Sequence, residues 1–193
     1  MTAVAAPSSR SADAVPLEAM AVVDFWRAAG PKLWFAKDAD FDRRFREHFL
    51  SSHEAAARGD LAGWPGTAVG ALALVLLLDQ LPRNAFRGSP RMYATDSMAR
   101  RVAHAAIEAG HDRAVDLELS LFFYLPFGHC ENLADQERSV ELARRLGQPN
   151  LSHAERHRDI IRRFGRFPHR NPTLGRATTE EEQRYLEGGG YAG

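Results

Sequence analysis

Apolar residues recur at helical spacing along nearly the whole chain, and no stretch alternates apolar and polar positions long enough to make a strand. Leu17, Met20, Val23 and Phe25-Trp26 predict a first helix that stops near Gly30-Pro31. Phe41, Phe45 and Phe49 recur every four residues and set an aromatic stripe on one face of a second helix, which Asp38 or Asp40 can cap and which ends around Gly59. The most apolar run, Ala71 to Leu78, predicts a buried helix that starts at Thr67 and is stopped by Pro82. Ser89-Pro90 reads as an N-cap followed by proline at the first helical position, with Met92, Tyr93, Met98, Val102, Ala106 and Ile107 continuing to Gly110. His111-Asp112 opens a further helix that runs through Leu125 to a break at Pro126 and Gly128. Glu131 to Leu146 and Ser152 to Phe164 are amphipathic, and Thr178-Thr-Glu-Glu181 reads as the capping box of a last short helix ending at Gly188-Gly-Gly190.

Seven or eight helices joined by short loops predict an all-α domain of antiparallel helical hairpins, arranged as a bundle or an α-solenoid-like stack. Leu81-Pro-Arg-Asn84 and Phe167-Pro-His-Arg-Asn171 echo each other, yet no regular repeat of about 34 residues emerges. A length of 193 residues with 45% hydrophobic and 26% charged content suits one core, expected over residues 17–193. Residues 1–16 are rich in Ala, Ser and Pro, lack the apolar stretch of a secretory signal, and are expected to form a loose arm. The Ala71 to Leu78 run is far too short to span a bilayer. Lys+Arg and Asp+Glu both number 25, so net charge gives no pointer to nucleic acid or to a membrane surface. The single cysteine, Cys130, excludes an internal disulfide and fits a reducing compartment, for which the cytoplasm is the expectation.

The polar chemistry is local. Phe164-Gly-Arg-Phe-Pro-His-Arg-Asn171, followed by Gly175-Arg176, gathers Arg166, His169, Arg170, Asn171 and Arg176 among rigid Pro/Gly punctuation. Guanidinium forks recognise carboxylate and phosphate, so the ligand implied there is anionic. Asp79, Gln80, Arg83 and Asn84 follow the most apolar helix, where polar groups are costly unless paired. Turn scaffolding explains this second group as well as ligand binding does. His129 and Glu131 flank Cys130 just after a helix break, and neighbours in sequence rarely form a nucleophile and its base. His153 and His157 have i,i+4 spacing, but Glu155 is misplaced for a His-Glu-x-x-His zinc motif, and His157 aligns with Ile160, Ile161 and Phe164. A core histidine is therefore the simpler account, and no metal site is expected. Walker, Gly-x-Gly-x-x-Gly and Cys-x-x-Cys signatures are absent, so no cofactor is implied.

Trp34-Phe-Ala-Lys-Asp38 with Phe41-Asp42, Leu78-Asp-Gln-Leu-Pro-Arg-Asn84, Tyr124-Leu-Pro-Phe-Gly-His129 with Glu131, and Phe164 to Asn171 with Gly175-Arg176 form four ordered blocks. In these blocks the chain resembles the DUF924 family, over roughly Val22 to Leu186. The resemblance implies an all-helical, tetratricopeptide-like fold and supplies no reaction. The family pattern often has serine where Cys130 stands, which argues against a catalytic thiol.

Two function classes compete. In one, Asp79, Gln80, Arg83, Asn84, Arg166, Arg170, Asn171 and Arg176 hold a small anionic molecule, while His129, Glu131, His157 or His169 supply acid/base chemistry. In the other, helix pairs form a non-enzymatic surface whose arginines clamp a peptide carboxylate. A third possibility is that the polar blocks are buried structural glue. If the turn after Leu81 and the 166–176 loop meet in space, the expectation is one electropositive pocket closed by His129 and Glu131.

Overall fold

The computed structural model describes residues 14–193, so the expected arm lies outside the described residues except for its last three positions, which are not helical. The helices are α1 (Leu17–Ala29), α2 (Pro31–Trp34), α3 (Ala39–Arg58), α4 (Ala68–Val75), α5 (Leu81–Ala85), α6 (Asp96–Glu108), α7 (Leu117–Gly128), α8 (Leu133–Ala143), α9 (Asn150–Phe164) and α10 (Glu180–Glu187). No strand occurs among the described residues, and no helix there is long and apolar enough to cross a membrane. Consecutive helices from α6 to α9 pack on one another across short connections, which forces them antiparallel. That sequential hairpin stacking is the arrangement expected from the sequence.

The core forms around α4, which contacts α1, α6 and α7. Ala71 to Leu78 are almost wholly enclosed, and the Phe41, Phe45 and Phe49 stripe of α3 turns inward against Trp26 and Phe25. Trp26 meets Phe122 edge-on with ring centroids 5.2 Å apart, and the Trp34 indole N–H donates to the Trp26 carbonyl at 2.7 Å. Each such side chain contributes about 1.5–3 kcal/mol on burial, so this layer carries much of the fold. Asp38, not Asp40, caps α3: its Oδ1 accepts from the Phe41 amide at 2.8 Å.

Pro82 does not stop the apolar helix. A π-helical turn, Leu76–Gln80, joins α4 to α5, and Pro82 lies in the first turn of α5. Proline lacks the N–H that would bond the carbonyl four residues back. Thr95 fills that gap, its hydroxyl donating to the Leu78 carbonyl at 2.5 Å, while His53 Nδ1 bonds the neighbouring Leu77 carbonyl at 2.8 Å. The chain therefore continues in the same direction and carries Asp79, Gln80 and Arg83 on a widened turn. Pro126 likewise sits inside α7, which ends only at Gly128.

Two helix starts differ from the sequence expectation. Ser89-Pro90 opens only a 3-10 turn, Pro90–Tyr93, and α6 begins at Asp96; His111–Arg113 is another such turn before α7. The last capping box is one residue later than its sequence pattern suggests: the Thr179 hydroxyl accepts from the Glu182 amide at 3.2 Å, and Glu182 accepts from the Thr179 amide at 2.8 Å. Glu182 wins over Glu181 because it also receives Arg166, at 2.6 and 2.8 Å, and Asn171 at 3.2 Å. Thr179→Ala is expected to cost about 1 kcal/mol, read as a lower urea midpoint with an unchanged slope. An unchanged midpoint would mean that α10 frays before the rest of the domain unfolds.

Candidate functional site

The π turn aims Asp79 into the interior, where the carboxylate is fully buried. Its Oδ1 accepts from His129 Nδ1 at 2.8 Å and lies 3.2 Å from Arg83 Nη1, and its Oδ2 accepts from Gln80 Nε2 at 2.6 Å. Arg83, one helical turn on, also forks Asp96 at 2.8 and 2.9 Å and donates to the Asp79 carbonyl at 2.7 Å. Arg170 enters from the loop after α9. Its Nη1 donates to the His129 carbonyl at 3.0 Å, and its guanidinium lies over the Phe167 ring at 4.5 Å and the Tyr93 ring at 4.7 Å. The side chains of Arg83, Asp96 and His129 keep 15%, 16% and 14% of their surface, so solvent reaches the cluster from one side.

The charges are unevenly matched. Burial alone would push the Asp79 carboxyl up, but Arg83 and then His129 more than offset it and hold the group at about 2. Burial, followed by the like charge of Arg83, lowers His129 below the ordinary histidine value, so the ring is neutral at pH 7. Because ionised Asp79 only accepts, His129 Nδ1 carries the proton and Nε2 presents a lone pair. Arg170 is poorly compensated: its nearest carboxylate oxygen, on Asp96, is 4.0 Å away, and its buried Nε has no hydrogen-bond partner. Burial and the nearby Arg83 charge both lower its affinity for its proton.

A second group adjoins the first through the backbone of residues 129–131. Glu131 accepts both forks of Arg176, at 2.7 and 3.0 Å, and the Phe167 amide at 2.8 Å. His157 and His169 pack on Phe167, with ring centroids 5.3 and 5.6 Å from it. Burial lowers His157 to about 3 and His169 to about 4, so both rings are neutral. Gly128 lets Ser139 approach the helix end, since a Cβ there would lie 3.0 Å from Ser139 Oγ.

The structure thus brings together Asp79, Gln80, Arg83, His129 and Arg170, with Glu131, Arg176, His157 and His169 around them. It sends others elsewhere. Asn84 turns away and donates to Asp42 at 2.6 Å, bridging α5 to α3, while Arg166 and Asn171 serve Glu182. Sequence reasoning missed Asp96, Tyr93 and Tyr191. Tyr191 packs on His157 at 4.7 Å and edge-on to His169 at 5.1 Å. No local motif marks Asp96 or Tyr93; the available signal was that Arg83 needs an acid from another segment.

The Cys130 thiol is pushed up to about 11 by burial and by its hydrogen bond with Asp135, which makes it a poor nucleophile. No group of three or more His, Cys, Asp or Glu side chains converges on a metal position among the described residues, and His153 is exposed while His157 turns inward. The sequence-named residues interlock through hydrogen bonds and ion pairs. A cleft of about 850 Å³ lies beyond Tyr191 and contains none of them.

The sequence matches the family described as a bacterial protein of unknown function (DUF924) over residues 22–190. Among solved structures it is similar to a protein of unknown function, ATU0120, from Agrobacterium tumefaciens, with 56% identity and a TM-score of 0.87 over 88% of this chain and 97% of that one. No curated protein matches it.

Proposed function

The chain belongs to the DUF924 family, and from that premise we propose that the Arg83–Arg170 cluster receives a small carboxylate or phosphate, on which His129 acts as a general base. The observation that carries this reading is the 2.8 Å Asp79–His129 bond set beside Arg170, a buried cation with an unpartnered Nε. Asp79 fixes the imidazole tautomer and stabilises the positive charge that the ring gains when Nε2 takes a proton. An anion beside Arg170 would offset the desolvation that the guanidinium now bears and would complete its hydrogen bonding. Tyr93 and Phe167 hold that guanidinium plane in place, which favours a forked contact over diffuse attraction. His157 and His169, neutral and packed among rings, serve the site by shape, and Glu131 holds Arg176 rather than a proton destined for a substrate.

A thermal-shift and calorimetric screen of phosphorylated and carboxylated metabolites tests the proposal. Wild type is expected to bind at least one of them, and Arg170→Gln is expected to lose on the order of 2 kcal/mol of that binding. His129→Gln should still bind the ligand and should no longer turn it over. Circular dichroism separates a lost site from a lost fold. A folded Arg170→Gln protein that binds as wild type does would rule the site out, whereas capture of peptide carboxylates without turnover would favour an interaction domain.

A further inference from the structure

The cleft beyond Tyr191 has its own chemistry. It is an open depression between α9 and α10 of about 850 Å³, and it presents the guanidinium groups of Arg156, Arg163 and Arg184 against the single carboxylate of Glu181. Such a volume suits a small molecule. Arg156 and Arg163 are seven residues apart on α9, about two turns, and so share a face; Arg184 comes from the last turn of α10.

The three arginines are not equally occupied. Arg163 meets Glu181 at 2.9 Å, but the two side chains are 54% and 55% exposed, so the pair is weak and a stronger anion can displace it. Arg184 spends its Nε on the Glu180 carbonyl at 3.2 Å, and Arg156 has neither an ion pair nor a side-chain hydrogen bond among the described residues. By contrast, Arg43 on α3 and Arg138 on α8 are each tied to an acid on their own helix.

The back wall of the cleft is fixed by packing. Tyr185 Oη accepts from the Tyr191 amide at 2.9 Å. Gly190 lies so close that a Cβ would fall 2.5 Å from Tyr185 Cε1 and 2.5 Å from its carbonyl oxygen, so only glycine lets the chain fold back here. The ring of Tyr191, which meets His157 and His169, separates the cleft from the Asp79–His129 cluster.

We infer that this cleft is a separate binding site for a phosphate-bearing small molecule with at least two negative charges. Three guanidinium groups less one carboxylate leave two positive charges for the ligand to neutralise. Guanidinium forks on two helices suit the several oxygens of a diphosphate better than one planar carboxylate.

Titration with inorganic diphosphate, followed by calorimetry and by ³¹P line broadening, tests the inference. Wild type is expected to bind saturably and to weaken as salt rises. Arg156→Ala and Arg184→Ala should each weaken binding about tenfold, a change typical of one lost charge-assisted bond. Arg138→Ala, on another surface, should leave it unchanged, and Arg170→Gln, in the inner cluster, should leave intact the part of the binding that Arg156→Ala and Arg184→Ala weaken. Absence of saturable binding, or equal affinity in Arg156→Ala and Arg184→Ala, would overturn the inference. Loss of binding in Arg170→Gln would overturn it too, by assigning the anion to the inner cluster, so the two proposals fail separately.

Discussion

Lowering the pH from 7 to 4.5 is expected to remove about 3–5 kcal/mol of stability, a large share of what a domain of this size has. The largest contribution comes from the pair of neutral rings around Phe167. Burial, then the nearby His129 and Arg170 charges, lowers His157 to about 3, and burial with the Arg170 charge lowers His169 to about 4. In the unfolded chain a histidine takes up its proton near 6.5. Below that pH the unfolded state gains protons that the folded state refuses at these two rings, and at His129 and His53, which burial also lowers, so the stabilisation is complete above about 6.5 and for His169 and His157 falls away toward 4 and 3. Asp79 and Glu182, each held near 2, lose their contributions only at still lower pH, as the carboxylates of the unfolded chain protonate. Urea midpoints measured between pH 7 and 4.5 check the trend. His157→Leu, which cannot titrate, should remove part of the slope. A midpoint that stays flat from pH 7 to 5 would show that water reaches both rings.

Asp79→Ala is expected to cost about 3–5 kcal/mol at neutral pH, because removing one member of a buried charge network leaves its partners uncompensated. Two donors lose their acceptor together, His129 Nδ1 and Gln80 Nε2, and Arg83 loses a carboxylate 3.2 Å away while keeping Asp96 and the backbone carbonyl of residue 79. Asp79→Asn keeps an acceptor of the same shape and should cost less. Equilibrium urea unfolding of both variants measures the difference. A loss below about 1 kcal/mol in Asp79→Ala would mean that Asp96 alone satisfies Arg83 and that solvent reaches the remaining donors.

The helical architecture was legible because it rests on local periodicity. The Phe41, Phe45 and Phe49 stripe, the Ala71 to Leu78 run and the glycine-marked ends all carry their meaning within a few residues. Pro82 and Pro126 misled because a proline stops a helix only when nothing else satisfies the freed carbonyl, and Thr95, 13 residues downstream of Pro82, is invisible to a local reading. The site was half legible for the same reason. Asp79 and Arg83 are i,i+4 neighbours and meet, while Asn84 follows Arg83 by one residue, rotates about 100° around the helix, and reaches Asp42 instead. Arg166 and Arg170 look alike in the sequence. They separate because Glu182 captures the first, and Phe167 and Tyr93 shelter the second.

The π turn also ties the order of assembly to the order of synthesis. The Leu77 and Leu78 carbonyls receive their partners from His53, earlier in the chain, and Thr95, later in the chain. A nascent chain that has emerged only as far as Ala85 holds the most apolar segment of the molecule with the Leu78 carbonyl still open to water. That segment cannot be buried without cost until Thr95 arrives. Completion of the central rod is thereby expected to wait for α3 and the start of α6, because the two carbonyls of the turn take their partners from those distant segments.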